Sequence, residues 1–306
     1  PPMLGLLARF EPLFKLHHWE VTSPDVSQTM SEEDLIELLP AHHGWIIGDD
    51  PATERVLREG RKGLFRGAVK WGVGVDNVDF AAFRSLDIPV TNTPGMFGKE
   101  VADLAVGYVI GLARQSFLVD RLVRAGSWPK PVGISLAGRT AAIVGLGDIG
   151  QNVAKRLLAL EMSIIGYDPN VPIEEAPANI RRETWPEGID EADYLVITCA
   201  LTPSTHHLVN ADLFAQIKSG LRLVNVSRGA IVEEAPLISA LKSGVVHSAA
   251  LDVFEEEPLS AGSPLRQFER CIFGSHNASN TEEGVVRTSE AAIAKLAEML
   301  SAARDD

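Results

Sequence analysis

The stretch AAIVGLGDIGQNVAKRLLAL, beginning at Ala141, constrains this chain more than any other segment. A short apolar run ends at Gly145, three glycines follow at the spacing G-x-G-x-x-G (Gly145, Gly147, Gly150), and a stretch of helical periodicity begins at once. In a strand–turn–helix unit each glycine has its own task. Gly145 permits a tight turn, Gly147 lets a backbone approach a pyrophosphate, and Gly150 lets helix and strand pack closely. The helix start then offers unpaired N–H groups and the positive end of a dipole to phosphates. A second strand, SIIGYDPN, ends in Asp168, about twenty residues beyond the last glycine, as a dinucleotide site requires. A carboxylate there accepts hydrogen bonds from ribose hydroxyls and repels a 2′-phosphate, which favours NAD over NADP.

Strands and helices alternate on both sides of this unit. Ahead of it come MLGLLAR from Met3, read as an opening strand, and the helix-like SEEDLIELLP, in which Ser31 and Asp34 form a capping-box pair. The strand GWIIGDD from Gly44, a helix at Ala52–Glu59, the strand AVKWGV from Ala68, a helix from Asn77 and the strand IPVTN from Ile88 follow. Downstream, YLVITC, LRLVNVS and SAALDVF are further apolar strands, and a helix runs from Thr281 to the end. This alternation predicts α/β architecture: two doubly wound, Rossmann-like parallel-sheet domains with an interdomain cleft. The boundaries expected are 1–94 plus 281–306 for a substrate domain and 95–280 for an NAD-binding domain. Between the two series, Glu100–Arg114 carries apolar residues on nearly every face, which predicts a helix buried between domains or against a second subunit.

Composition narrows the partners. The chain has 306 residues, with 28 Lys and Arg against 41 Asp and Glu, a net charge of −13. That balance argues against nucleic acid or an anionic membrane as partner. An anionic metabolite would need individual cations placed in its site. No run of roughly 18 apolar residues is present. The opening lacks a basic stretch before its apolar residues, so no secretory leader is expected. Two cysteines fit a reducing cytoplasm. The doublets His17-His18, His42-His43 and His206-His207 lack the further ligands of a metal site and are read as loop or strand-end residues; no metal is expected.

Three segments after strand ends carry chemistry: Arg228 in LVNVSRGAIVEE, Asp252 and Glu257 in AALDVFEEEP, and His276 in FGSHNASNT. Ligands of open α/β sheets bind at the carboxyl ends of strands, so these side chains can converge. Exchange between a 2-hydroxy acid and a 2-keto acid moves a proton at oxygen and a hydride at C2. Histidine suits the proton, an adjacent carboxylate orients it and favours its charged form, and a guanidinium grips a carboxylate with two hydrogen bonds.

VNVSRGAIVEEAPLISALKSG, ALDVFEEEP, the histidine, the glycine loop, VGVDNVD and the helix at Glu100 occur together in the order found in the D-isomer-specific 2-hydroxyacid dehydrogenases, and the chain resembles that family from about Ala68 onward. The resemblance covers the phosphoglycerate and the hydroxypyruvate/glyoxylate branches. It implies that Arg228 binds substrate, that Glu257 pairs with His276 as acid/base, and that backbone amides at Val73 and Gly74 hold the substrate carboxylate. It implies cofactor contacts from Gly145, Gly147, Asp148, Ile149, Gly150, Asp168, Cys199, Pro203, Val226, Ser227, Asp252 and Ala278, with Asp252 at the nicotinamide carboxamide. It further implies an NAD-dependent, phosphoglycerate dehydrogenase-like enzyme for a small anionic 2-hydroxy or 2-keto acid, working as a homodimer through the helix at Glu100. The alternatives are a glyoxylate/hydroxypyruvate reductase or a non-catalytic NAD(H)-sensing protein. Three positions depart from the usual pattern. Asp148 stands where a basic residue is common, Asp103 replaces a commoner glutamate, and His276 lies between Ser275 and Asn277 instead of following Thr-Pro. A phosphorylated substrate would need further cations, for which Arg66, Lys70 and Lys99 are the candidates.

Overall fold

A computed structural model describes residues 2–26, 29–171 and 179–302. In chain order the elements are α1 (Pro2–Gly5), α2 (Glu11–Leu16), α3 (Glu32–Leu38), β1 (Gly44–Ile47), α4 (Glu54–Lys62), β2 (Gly67–Lys70), α5 (Phe80–Ser85), β3 (Val90–Asn92), α6 (Gly98–Arg114), α7 (Ser116–Arg124) and β4 (Thr140–Val144). They continue with α8 (Asp148–Ala159), β5 (Ser163–Tyr167), β6 (Ile180–Arg182), β7 (Tyr194–Ile197), α9 (Ala211–Phe214), β8 (Leu221–Asn225), α10 (Glu234–Ser243), β9 (Val246–Leu251), β10 (Ile272–Phe273) and α11 (Glu282–Ala302). The chain divides into two compact units, Pro1–Phe97 with Asn280–Asp306, and Gly98–Ser279.

In the first unit β1, β2 and β3 pair in parallel in that order. Alternate strand residues face opposite sides. Ile47 and Ala68 therefore join Leu35, Val56, Leu57 and Phe83 in one cluster, while Ile46 and Val69 meet Ala292 and Leu296 of α11 on the other face. The capping box forms as read: Ser31 Oγ accepts from Asp34 N (3.2 Å) and Asp34 Oδ2 accepts from Ser31 N (3.3 Å). The helix expected at Ala52 starts later, because the Thr53 hydroxyl caps it by accepting from Val56 N. That expected from Asn77 starts at Phe80. Asn77 spends its amide on the Gly48 and Asp50 carbonyls, and Asp79 becomes the N-cap.

One element is corrected. The segment from Met3 forms no strand but a succession of short helical turns. Its apolar residues Met3, Leu6, Leu7, Phe10 and Phe14 fall at helical spacing, and they pack against Ile293 of α11. Burying Phe10 and Phe14 stabilises by roughly 1.5–3 kcal/mol each, more than the propensity differences that favour a strand. The partner helix lies almost at the other end of the chain, so the local pattern alone left helix and strand undecided. The last helix is observed to Ala302, and the remainder of its expected range lies outside the described residues.

In the second unit the described strands form one parallel sheet in the order β10-β9-β8-β7-β4-β5-β6. The chain builds outward from β4 through β5 to β6, then returns to the far side of β4 and builds through β7 to β10. The reversal between β4 and β7 is a topological switch point, where open α/β sheets bind ligands. All of β7 and, in β4, Ala141–Val144 are buried. The helix α6 packs on α8 and against β8 and β9, which buries Val101, Ala105, Tyr108, Val109 and Leu112. Its all-round apolar character is not matched by all-round burial within the unit, since Ile110 stays exposed. Among the described residues no single helix is long and apolar enough to cross a membrane.

Candidate active site

At the switch point the three glycines behave differently. Gly145 has φ +94°, a region costly for any side chain, and an added Cβ would lie 2.6 Å from the Cys199 backbone. A Cβ at Gly150 would come within 1.9 Å of the Gly145 carbonyl oxygen, so the start of α8 presses directly on the turn. A Cβ at Gly147 would meet nothing within 4 Å. Gly147 is the N-cap of α8 and provides no side-chain cap, which leaves the first-turn N–H groups of the helix for a ligand. A bare cradle over an uncapped helix start fits the diphosphate of a dinucleotide.

Asp168 leaves the end of β5 beside this turn. Its Oδ2 accepts from Leu146 N (2.8 Å) and its Oδ1 from Asn170 N (2.9 Å), so the carboxylate is fixed at the edge of the cradle. On the other side, Thr198 donates to the Gly145 carbonyl (2.7 Å), and the Ser227 hydroxyl donates to the Cys199 carbonyl. Gly145, Gly147, Gly150, Asp168, Cys199 and Ser227 are therefore assembled around one turn. Burial pushes the Cys199 thiol up to about 11, which marks it as packing and not as a nucleophile. Val226 is buried behind this wall, Ile149 is half-buried on α8, and Pro203 lies exposed on the loop after β7.

Asp148, the first residue of α8, is exposed but turned aside. Its Oδ1 accepts from Asn152 Nδ2 (3.1 Å), and the same amide donates to the Asp148 carbonyl (2.9 Å). Asn152 in turn accepts from Arg156, whose Nε donates to Asp103 Oδ1 of α6 (2.7 Å).

The catalytic candidates emerge from three adjacent strands. After β8, the buried Asn225 accepts from Ser227 N (3.1 Å) and donates to the Arg228 carbonyl (2.8 Å), which shapes the turn that carries the Arg228 guanidinium. After β9, Asp252 is 1 % exposed. Its Oδ2 accepts from Ala278 N (2.8 Å), its Oδ1 from Tyr108 Oη (3.3 Å), and its carbonyl from His276 N (2.7 Å). Burial pushes the Asp252 carboxyl above its ordinary value, opposed by the backbone N–H of Ala278 and the His276 charge. Burial likewise pushes the Tyr108 phenol upward, with the Asp252 charge adding to it, so Tyr108 remains a donor. After β10, His276 adopts φ +55° and directs Nδ1 to Glu257 Oε2 at 2.7 Å. Glu257 Oε1 accepts from Phe254 N (3.0 Å). An ionised carboxylate can only accept, so Nδ1 carries the proton of this contact. Only glycine fits at 274, where a Cβ would strike Asp252 Oδ1 at 2.0 Å.

Glu257 is thus not one of a solvated run. Its neighbour Glu255, although exposed, is also paired: His207 Nε2 donates to Glu255 Oε1 at 2.6 Å. This second pair, with Asn225 and Tyr108, was not legible as part of the site. A polar residue ending the buried strand VNV was the available signal for Asn225. Val73 and Gly74 belong to the other unit, where Val73 is exposed and its carbonyl accepts from Asn92 at 3.5 Å. The extra cations there are engaged: Arg66 donates to the Gly63 and Phe65 carbonyls (2.9 and 2.8 Å), and Lys70 is buried against Gly48 and Asp49. Lys99, the first cation of α6, is exposed.

The model for "D-isomer specific 2-hydroxyacid dehydrogenase, NAD binding domain" matches residues 106–278. Over 285 residues the chain is 35% identical to D-3-phosphoglycerate dehydrogenase 2, chloroplastic, of Arabidopsis thaliana, covering 91% of this chain and 46% of that one. It is 32% identical to a hydroxypyruvate reductase of Thermotoga maritima over 268 residues, 87% of this chain and 85% of the relative. The chain spans about half the length of the curated phosphoglycerate dehydrogenases it matches. The crystal structure of TT0316 protein from Thermus thermophilus superposes with a TM-score of 0.87 at 29% identity, over 96% of this chain and 94% of that one. With a family model matching residues 106–278 and a 32%-identical relative covered over 85% of its length, the chain belongs to the D-isomer-specific 2-hydroxyacid dehydrogenase family.

Proposed function

We propose that the protein interconverts a small anionic 2-keto acid and the corresponding 2-hydroxy acid with NAD(H). The observation that carries this reading is the 2.7 Å pairing of His276 Nδ1 with Glu257, in a loop tied by Asp252 to the strand that presents Arg228. The glycine cradle and Asp168 would hold the adenosine and diphosphate part of the cofactor, and Asp252 would lie on its nicotinamide side. When bound, NADH supplies the hydride that reduces C2 of the keto acid. Arg228 grips the substrate carboxylate and polarises the keto oxygen. His276 delivers a proton from Nε2 to that oxygen as its C=O electron pair moves onto it, and Glu257 stabilises the imidazolium before the transfer.

The matches to phosphoglycerate dehydrogenases and to hydroxypyruvate and glyoxylate reductases support this chemistry for both phosphorylated and plain substrates. NADH oxidation with glyoxylate, hydroxypyruvate, phosphohydroxypyruvate and pyruvate tests it. Turnover of at least one, faster with NADH than with NADPH, is expected. NADH binding without turnover of any of them would replace the proposal with a nucleotide-sensing role.

The proposed assembly is a homodimer through α6, α7 and the loop after it. Ile110, Phe117, Val123, Trp128 and Val132 are all exposed there, with Trp128 at 80% and Val132 at 92%, and an apolar surface of that kind calls for a partner. Sedimentation at micromolar concentration checks it. The proposed setting is the cytoplasm, where buried Cys271 and half-buried Cys199 stay reduced.

A further inference from the structure

We infer that His207 is a positioning residue for Arg228, acting through Glu255; the inference rests on the function proposed above. Glu255 Oε1 accepts from His207 Nε2 at 2.6 Å, and its Oε2 accepts from the backbone N–H of Glu234 at 3.3 Å. Those two contacts bracket the turn that starts at Arg228. The same turn is stitched to the loop of His207 by backbone bonds. His207 N donates to the Ala230 carbonyl (2.8 Å), Val209 N to that of Ile231 (3.0 Å), and Glu233 N to that of Val209 (2.9 Å). On its other side Gly229 lies so close to the loop of Glu255 that a Cβ would be 1.8 Å from the Phe254 carbonyl carbon. Three segments therefore meet around one short turn, and the His207–Glu255 pair is the side-chain clasp across two of them.

The residues around the clasp leave the Glu255 carboxylate in need of a hydrogen-bond donor. Glu234 and Glu256 crowd Glu255, and burial, with the charges of Glu255 and Glu256, raises the Glu234 carboxyl above its ordinary value. Without the imidazole these carboxylates repel one another across the turn. His207 itself holds φ +51°, a left-handed conformation uncommon outside glycine, and His206 stacks on its ring at 3.9 Å. Such a conformation persists where the surroundings over-determine it. Glu255 and Glu257 divide the acidic run between two histidines, His207 and His276. Loosening the first pair displaces Arg228 while leaving the second intact, so the defect falls on substrate binding and not on proton transfer.

The test uses the full chain. In His207→Ala, kcat/KM for the best 2-keto acid should fall at least about tenfold, mostly through a higher KM, while NADH affinity and the pH dependence of kcat are unchanged. In His207→Gln, whose amide can still donate to Glu255, KM should return to within about threefold of the parent. Hydrogen exchange of residues 229–234 should accelerate in the alanine variant and not in the glutamine variant, with residues 145–150 unaffected. Unchanged KM and exchange in His207→Ala would overturn the inference. So would equal losses in kcat and melting temperature that glutamine does not restore. If the parent protein turns over no keto acid, the proposed function fails, and the exchange measurement still decides whether the clasp positions the turn.

Discussion

The carboxylate of Asp148, at the start of α8, lies flat against Gly98, at the start of α6: a Cβ on Gly98 would meet its atoms at 2.2–2.3 Å. An acid therefore sits at the meeting point of two helix N-termini, where their dipoles favour it by typically 0.3–1 kcal/mol. It still lies beside the diphosphate cradle, and a negative group there opposes an anionic ligand. Asp148→Arg should tighten NADH binding by about 1 kcal/mol, as for a hydrogen bond to a charged group, and lower apo stability by a similar amount. Fluorescence titration with NADH at low and high salt checks this. Equal affinity in both proteins would mean that the contact with Gly98 and Asn152 holds the carboxylate away from the phosphates.

Gly147 and Gly150 should separate binding from folding. Gly147→Ala adds a methyl to open space at φ −67°, so the apo protein should melt normally while NADH affinity drops at least about tenfold, because the methyl occupies the cradle. Gly150→Ala drives a methyl to 1.9 Å from a carbonyl oxygen and should destabilise the unit by about 1–3 kcal/mol or more. Thermal melts with and without NADH distinguish the two.

His276→Gln should lower kcat by about 10²-fold or more, the scale of a lost general acid/base, with little change in NADH affinity. Glu257→Gln keeps an acceptor beside Nδ1 but removes its charge, and should lose a smaller part of that rate. Near-normal turnover in His276→Gln would remove the residue from the proposed mechanism.

Asp168→Ala should reverse coenzyme discrimination, weakening NAD and improving the relative use of NADP. Since Asp168 also accepts from the Leu146 amide at 2.8 Å, some stability should go with it. If the parent protein prefers NADPH, this role for Asp168 is wrong.

Stability should also depend on His247, the second residue of β9. Burial, with the charges of Arg222 and Arg270, lowers its pKa from 6.5 to about 4. The unfolded chain then binds the proton first as pH falls. Its contribution is fully present above pH 6.5 and is lost progressively toward about pH 4. Urea unfolding at several pH values should show stability falling across that window, with a shallower slope in His247→Gln. Identical slopes would show that carboxylates dominate the acid limb.

The parts of this molecule that could be read from sequence are those whose physics is local. The glycine loop, the strand ending at Asp168 and the Ser31 capping box each complete themselves within a few residues. The pairing of His276 with Glu257 was reached through the resemblance to the family and is observed at 2.7 Å. What is not legible depends on distant partners. The segment from Met3 becomes helical because of α11, and His207, a turn residue as expected, pairs with Glu255 far along the chain. Helix starts moved by two or three residues where Thr53 and Asp79 competed for the capping position.

The sheet of the first unit has an order of assembly built into it. Its β2 residue Val69 packs against Ala292 and Leu296 of α11, which a ribosome delivers only after the entire second unit has emerged. Residues 1–97 must therefore wait with that face uncovered, while residues 98–279 already contain the described strands of their own sheet. Nascent chains stalled just short of α11 should thus protect the later-made sheet from protease and leave the earlier-made one open to cleavage.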